Sequence, residues 1–289
     1  MCPGKGRRAF PGRRTARQCR CGDTVNPVDV KQGQGPIVLG IPHSGTFIPQ
    51  DVFARLTPIG QSLADTDWHV DRLYSDILPG ATSVRANFHR YVIDANRDPS
   101  GASLYPGQNT TGLVPVTNFD GEPIWKSAPG TEEIEARRVR WHAPYHAALA
   151  DELERVQRIH GVAVLYDCHS IRSRAPFLFE GCLPDFNIGT NSGQACDLRI
   201  ADVVEDVCRR AQGYTMVRDG RFRGGWTTRH YGRPAQGVHA IQMELAQSTY
   251  LESETAPFQY DARQAGNLRE HLGAVLRAIE SMTIKLESR

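Results

Sequence analysis

The sequence predicts a single α/β domain, three layers α/β/α around a largely parallel or mixed central sheet. Three apolar runs of strand length, IVLGIPHSG (37–45), VAVLYDCHS (162–170) and VHAIQMEL (238–245), read as short buried strands. Segments with helical periodicity separate them, and that alternation is the signature of helices packed on a sheet. The 289 residues suffice for one large core, and no shift in composition marks a second.

Residues 1–32 are expected to form a disordered basic extension, in which Lys5, Arg7, Arg8, Arg13, Arg14, Arg17 and Arg20 face only Asp23 and Asp29. The single α/β domain is then expected over 33–289. Strand 37–42 enters a Gly/Pro-bounded loop. From Asp65 to Leu78, Trp68, Leu73 and Ile77 have helical spacing, with Asp65 and Asp67 at the start. Residues 81–97 carry strand-forming side chains and are stopped by Asp98-Pro99-Ser100-Gly101. The stretch 98–130 is rich in Gly, Pro, Asn and Thr, and so long a loop in a compact domain is usually functional or disordered. A long helix is predicted over 131–160, capped by Thr131, acidic in its first turn and ended by His160-Gly161. Strand 162–169, helix 194–211, strand 238–244 and a C-terminal helix 261–282 complete the pattern.

Composition excludes several classes. Hydrophobic residues at 40% and charged residues at 23% are ordinary for a globular enzyme, and no apolar stretch approaches the ~20 residues of a membrane span. The net charge of +2 resides in the arm, which lacks the aromatic interleaving of a nucleic-acid binder, so no nucleic-acid or membrane partner is expected. Seven scattered cysteines argue against a disulfide framework, and the absence of an apolar signal core points to the cytoplasm. Cys19 and Cys21 form one close pair with no second pair at zinc-ribbon spacing. Nothing in the sequence specifies an oligomer.

The strand ends carry the chemistry. In open α/β sheets ligands gather outside the carboxyl ends of strands, and here those ends offer His43, His169 and Glu244. A single strand-end histidine is more often a packed or hydrogen-bonded side chain, but two of them on separate strands favour a site. Asp167, two residues before His169 on the same strand face, could orient that ring. Catalytic zinc takes three ligands from His and carboxylate and leaves the fourth position open. DTDWHVDRL is the richest source of the third. Asp67 is chosen at the helix start, although a helix-dipole role would explain it equally well, and Asp71 and His69 remain alternatives. Glu244 in an otherwise apolar strand needs a partner or a role, and a general base beside a metal-activated water is one. Asn96-Arg97 and Arg229, in GGWTTRHYG (224–232), are candidate carboxylate receptors, suited to a substrate with more than one carboxylate. A cysteine nucleophile is the rival chemistry, but Cys168 and His169 are adjacent on a strand and point to opposite faces.

In order, IPHSGTFIP, TDWHVDRLY, RYVIDANRDPSG, YDCHS, GGWTTRHYG and VHAIQMEL resemble the N-formylglutamate amidohydrolase (N-formylglutamate deformylase) family, over roughly residues 35–280. That family is related to zinc-dependent exopeptidase-like hydrolases of phosphorylase/hydrolase-like α/β fold. The resemblance implies a metal-dependent hydrolase that cleaves the formamide of N-formyl-L-glutamate to formate and L-glutamate, the last step of one histidine-degradation route. It implies one divalent metal ion, zinc by preference, on His43, Asp67 and His169, with Glu244 as catalytic base and Asn96 and Arg97 on a substrate carboxylate. Arg90 is a candidate for steadying the oxyanion. The chain departs from the related peptidases in having no Glu between Ser44 and Pro49, where they carry a metal-ligating carboxylate. Two other readings follow from the same residues: a metal amidohydrolase or carboxypeptidase-like enzyme acting on another N-acyl amino acid or peptide, and a binding protein that keeps the cavity without the metal.

Overall fold

The computed structural model describes residues 25–102 and 109–287. In chain order the elements are β1 (Val28–Lys31), β2 (Ile37–Ile41), α1 (Gln50–Ala54), α2 (Pro58–Gln61), α3 (Val70–Tyr74), β3 (Thr82–Ala86), α4 (Thr131–Arg137), α5 (Ala143–His160), β4 (Ala163–Ile171), β5 (Phe186–Gly189), α6 (Leu198–Arg210), β6 (Met216–Arg218), α7 (Trp226–Tyr231), β7 (Val238–Ala246) and α8 (Ala262–Glu287). The strands form one seven-stranded mixed sheet in the order β1-β3-β2-β4-β7-β5-β6. β3, β2, β4 and β7 run parallel, β1 and β5 join antiparallel to β3 and β7, and β6 runs parallel to β5.

The three apolar runs of the sequence are the three adjacent central strands. β2 and β4 are wholly buried, and β7 is buried from His239 onward, which is why they read as continuous rather than alternating hydrophobics. Ile37, Leu39, Val164, Tyr166, Ile241 and Met243 pack on one face with residues of α3, α6 and α8. Val38, Leu165 and Ala240 pack on the other with Leu149, Leu153 and Val156 of α5. The result is the α/β/α layering. No helix among the described residues is long and apolar enough to cross a membrane.

Strand order places the site. The chain leaves β2 to build β3 on one side, then crosses back to build β4 on the other. At such a switch point the connections diverge and open a crevice at the carboxyl ends, here between the strands that deliver His43 and His169.

Four expectations require correction. Val28–Lys31, placed by the sequence in the extension, is strand β1; it is short, largely exposed and polar on alternate residues, so it carries no apolar run and is held by pairing with β3. The extension therefore does not reach residue 32, and residues 1–24, with Cys19 and Cys21, lie outside the described residues. The helix expected from Asp65 to Leu78 is only Val70–Tyr74, because His69 adopts a left-handed conformation (φ 59°) and the chain before it turns to bond Asp67 N–H to His43 O at 3.1 Å. In 81–97 only Thr82–Ala86 is strand; the remainder is buried irregular backbone. The helix predicted over 131–160 is broken by a π-helical turn at Arg138–His142, since Pro144 cannot donate its backbone hydrogen bond and its ring crowds the carbonyl four residues earlier. Elsewhere the ends move by a few residues; α8, for example, continues to Glu287.

That turn leads into a buried histidine with a consequence for stability. His146 Nε2–H donates to Ala95 O at 2.8 Å, which leaves Nδ1 as the acceptor facing Tyr231 Oη at 3.0 Å. Burial, reinforced by the charge of His142, pushes its pKa from 6.5 down to about 3. The folded-state value is depressed, so the unfolded chain takes the proton first. Stability from this group is complete above pH ~6.5 and falls toward pH 3 at up to ~1.4 kcal/mol per pH unit. The urea midpoint is expected to drop between pH 7 and 5 more steeply in the wild type than in His146→Gln, and equal slopes in the two proteins would remove His146 as the cause.

Candidate metal centre

His43 stands two residues beyond β2, and His169 lies near the end of β4. Asp67 arrives from the irregular segment before α3, anchored to the first histidine by its own backbone N–H. His43 Nδ1, His169 Nδ1 and Asp67 Oδ2 form a triangle with edges of 3.2, 3.3 and 3.7 Å. Ligand atoms about 2.0–2.1 Å from a tetrahedral zinc lie roughly 3.3 Å apart, so the three donors have the spacing that one ion requires. All three side chains are buried, and among the described residues they are the one set of His, Cys, Asp and Glu able to share an ion. Asp71 instead pairs with Arg85 at 2.8 Å, and His69 Nε2 bonds Phe258 O at 2.9 Å, so neither joins the set.

The outer nitrogens of both rings meet carboxylates. His43 Nε2 bonds Asp94 Oδ1 at 2.7 Å, and His169 Nε2 lies 3.1 Å from Asp167 Oδ1, whose other oxygen accepts from Thr228 Oγ1 at 3.1 Å. Carboxylates behind the rings direct the inner nitrogens toward a metal and raise their basicity. Asp67 is fixed further by Ser170 N–H at 3.0 Å and Arg90 Nη2 at 3.0 Å, and the same Arg90 nitrogen also contacts His43 Nδ1.

The electrostatics call for positive charge at this point. Burial by itself would raise the Asp67 and Asp94 carboxyls, but Arg90 and His43 near the first, and His43 and Arg97 near the second, hold both below the usual carboxylate range. Burial would lower His169, yet Asp167 and Asp67 outweigh it and raise the ring well above its ordinary value. A divalent cation on the inner nitrogens would meet the same demand. The donor set, its spacing and its charge therefore fit such an ion.

Glu244 is the register partner of His169 across β4 and β7, so the two side chains stand together on one face of the sheet. Desolvation pushes its buried carboxyl up to about 8, a rise that Asp67 adds to and that His169 and Arg90 oppose without cancelling. Gln242, two residues earlier on that face, donates Nε2 to Glu244 Oε2 at 3.1 Å and accepts Gly225 N–H on Oε1 at 2.7 Å. His43, Arg90, His169 and Glu244 line a single cavity that also reaches Asn96 and Arg97.

The expected substrate receptors are placed unequally. Asn96 touches the metal set, with Nδ2 3.0 Å from His169 Nε2 and Oδ1 accepting Thr227 N–H at 2.9 Å. A Cβ on Gly225 would fall 2.2 Å from that Asn96 nitrogen, so the glycine is what admits it. Arg97 lines the cavity while its Nε and Nη2 tether Thr111. Arg229 is not among the cavity-lining residues; its Nε donates to Gly224 O at 2.9 Å, which braces the loop before α7. Cys168 points to the opposite face, fully buried in the apolar layer, and burial pushes its thiol well above its usual value, so it offers no nucleophile to the cavity.

Asp94, Gln242 and Arg221 in the cavity region are not singled out by the sequence alone. For Asp94 a signal was present: Asp94-Ala95-Asn96 repeats the two-residue spacing of Asp167-Cys168-His169.

Comparison with known proteins follows the same outline. Residues 35–251 match the family model of N-formylglutamate amidohydrolase. Two curated N-formylglutamate deformylases, from Pseudomonas aeruginosa and Pseudomonas putida, are each 46% identical to the chain; both alignments cover 86% of it, and 92% and 93% of the relatives. The crystal structure of N-formylglutamate amidohydrolase from Ralstonia eutropha JMP134 superimposes with a TM-score of 0.73 at 29% identity, covering 88% of this chain and 97% of that one. A gene product from Agrobacterium tumefaciens shares the fold at a TM-score of 0.65 and 22% identity, covering 89% and 97% of the two chains.

Proposed function

The chain belongs to the N-formylglutamate amidohydrolase family, and from that premise we propose that it hydrolyses N-formyl-L-glutamate to formate and L-glutamate at a divalent metal held by His43, Asp67 and His169. The observation that carries the reading is the buried triangle of donors facing Glu244 in one cavity. A nitrogen-rich set with one carboxylate suits zinc. When bound, such an ion supplies a Lewis acid that polarises the formyl oxygen and acidifies water.

The remaining chemistry belongs to the side chains. Glu244 takes the proton of the attacking water and passes it to the departing amine nitrogen. Gln242, bonded to Oε2, fixes the carboxylate for that transfer. Arg90, held against Asp67, presents N–H groups to the oxygen on which negative charge develops. Asn96 and Arg97 orient a substrate carboxylate, so that binding sets the formyl carbon against the water. The products fit the last step of a histidine-degradation route. The reading places the enzyme in the cytoplasm, where the four free cysteines among the described residues would stay reduced.

A substrate panel tests the assignment. Formate release from N-formyl-L-glutamate is expected to exceed acyl release from N-acetyl-L-glutamate and from a formylated dipeptide by about tenfold or more in kcat/KM. No formate from N-formyl-L-glutamate with metal-loaded protein would end the proposal.

A further inference from the structure

The cavity leads away from Glu244 to an arginine that the proposed chemistry does not use. Arg221, half-buried in the loop before α7, lines the wall together with Asn109, Leu178 and Phe222. Its Nε donates to Leu178 O and its Nη2 to Asn109 O, each at 3.1 Å, and its guanidinium lies 5.5 Å from the centre of the Phe222 ring. Two separate segments and the neighbouring Phe222 ring thus fix the plane of this group. A guanidinium held in one plane loses little freedom when it takes a carboxylate through two parallel hydrogen bonds.

The residues that share the cavity wall give that plane a meaning. At the inner end Asn96 touches His169, and Arg97 follows it directly. Ile171 comes two residues after His169 on β4 and belongs to a small apolar cluster with Phe119, against which Leu178 and Phe222 pack. Arg221 is bonded to Leu178, which packs on that cluster. The lining of this one cavity therefore combines two guanidiniums, Arg97 and Arg221, with an apolar surface of Phe119, Ile171, Leu178 and Phe222. N-formyl-L-glutamate has the matching set of groups: an α-carboxylate beside the scissile nitrogen, two methylenes, and a second carboxylate.

We infer that Arg221 is the specificity residue that reads the side-chain carboxylate, while Arg97 receives the α-carboxylate. The inference rests on the proposed substrate, and product binding separates the two. L-Glutamate and L-glutamine, alike in shape and different in charge, are titrated calorimetrically into wild type, Arg221→Met and Arg221→Lys, with circular dichroism as the check on folding. Wild type is expected to prefer glutamate; Arg221→Met should weaken glutamate by about 10- to 100-fold and glutamine by less than about threefold, with Arg221→Lys in between. Equal weakening of both ligands, unchanged glutamate binding, or a wild type without preference would overturn the assignment. If glutamate preference persists in a wild type that releases no formate, the reaction assignment fails and the role of Arg221 stands.

Discussion

Glu244→Gln is expected to lower kcat for N-formyl-L-glutamate by about 10²- to 10⁴-fold while fold and metal content stay as in the wild type. Glutamine keeps the size of the side chain and an oxygen to accept from Gln242 Nε2, so the contacts seen in the structure survive. What it cannot do is take up a proton. Glu244 stands beside His169 in the sheet register, and a buried carboxyl among apolar strand neighbours is costly unless it has a partner or a function. Since the substitution removes a group that acts in the reaction rather than in binding, KM should move little. Steady-state kinetics with metal analysis on the same preparation decide the point, and normal turnover by a folded, metal-loaded Glu244→Gln protein would take Glu244 out of its role.

Asp67→Asn is expected to be almost as damaging, through a different route. The Asp67 carboxylate sits against Arg90, Ser170 N–H and both histidines, fully enclosed. Neutralising it removes one of three metal donors, for which a loss of metal affinity beyond the ~10- to 100-fold typical of outer-shell changes is expected. It also leaves Arg90 as a buried charge without its nearest counter-charge, and breaking such a pair costs ~3–5 kcal/mol. Asp71→Asn is the control: its side chain is 35% exposed and pairs with Arg85 at the surface, where a pair contributes only ~0–1 kcal/mol. Metal retained after dialysis, together with the melting temperature, distinguishes them. Should Asp71→Asn lose the metal and Asp67→Asn keep it, the ligand set would be wrong.

The contrast between these aspartates shows where the sequence stops being informative. Strands β2, β4 and β7 were legible because burial on both faces leaves unbroken apolar runs, and the residues at their ends stand out against them. His43, His169 and Glu244 were therefore conspicuous. β1 was not legible, since a short edge strand draws its order from its neighbour rather than from its own pattern. The segment around Asp67 reads as the start of a helix by spacing, but its conformation is set by a left-handed His69 and a hydrogen bond to His43 O, contacts between residues distant in function from any periodicity. Residues 87–97 look like strand for the same reason: their β-branched and aromatic side chains are buried, yet as an irregular run that presents Arg90, Asp94 and Asn96 to the histidines. Arg229 and Arg221 illustrate the limit most directly. Both are arginines near the glycine-rich loop, and only the three-dimensional path puts the second, and not the first, on the cavity wall.

Metal dependence is tested by the deformylase activity of the same preparation before chelation, after chelation, and after stoichiometric return of zinc, with bound metal quantified at each stage. Activity is expected to fall with the metal to near background, and about one equivalent of zinc per chain to restore it in the wild type but not in Asp67→Asn. A metal-free protein that retained full activity would contradict it.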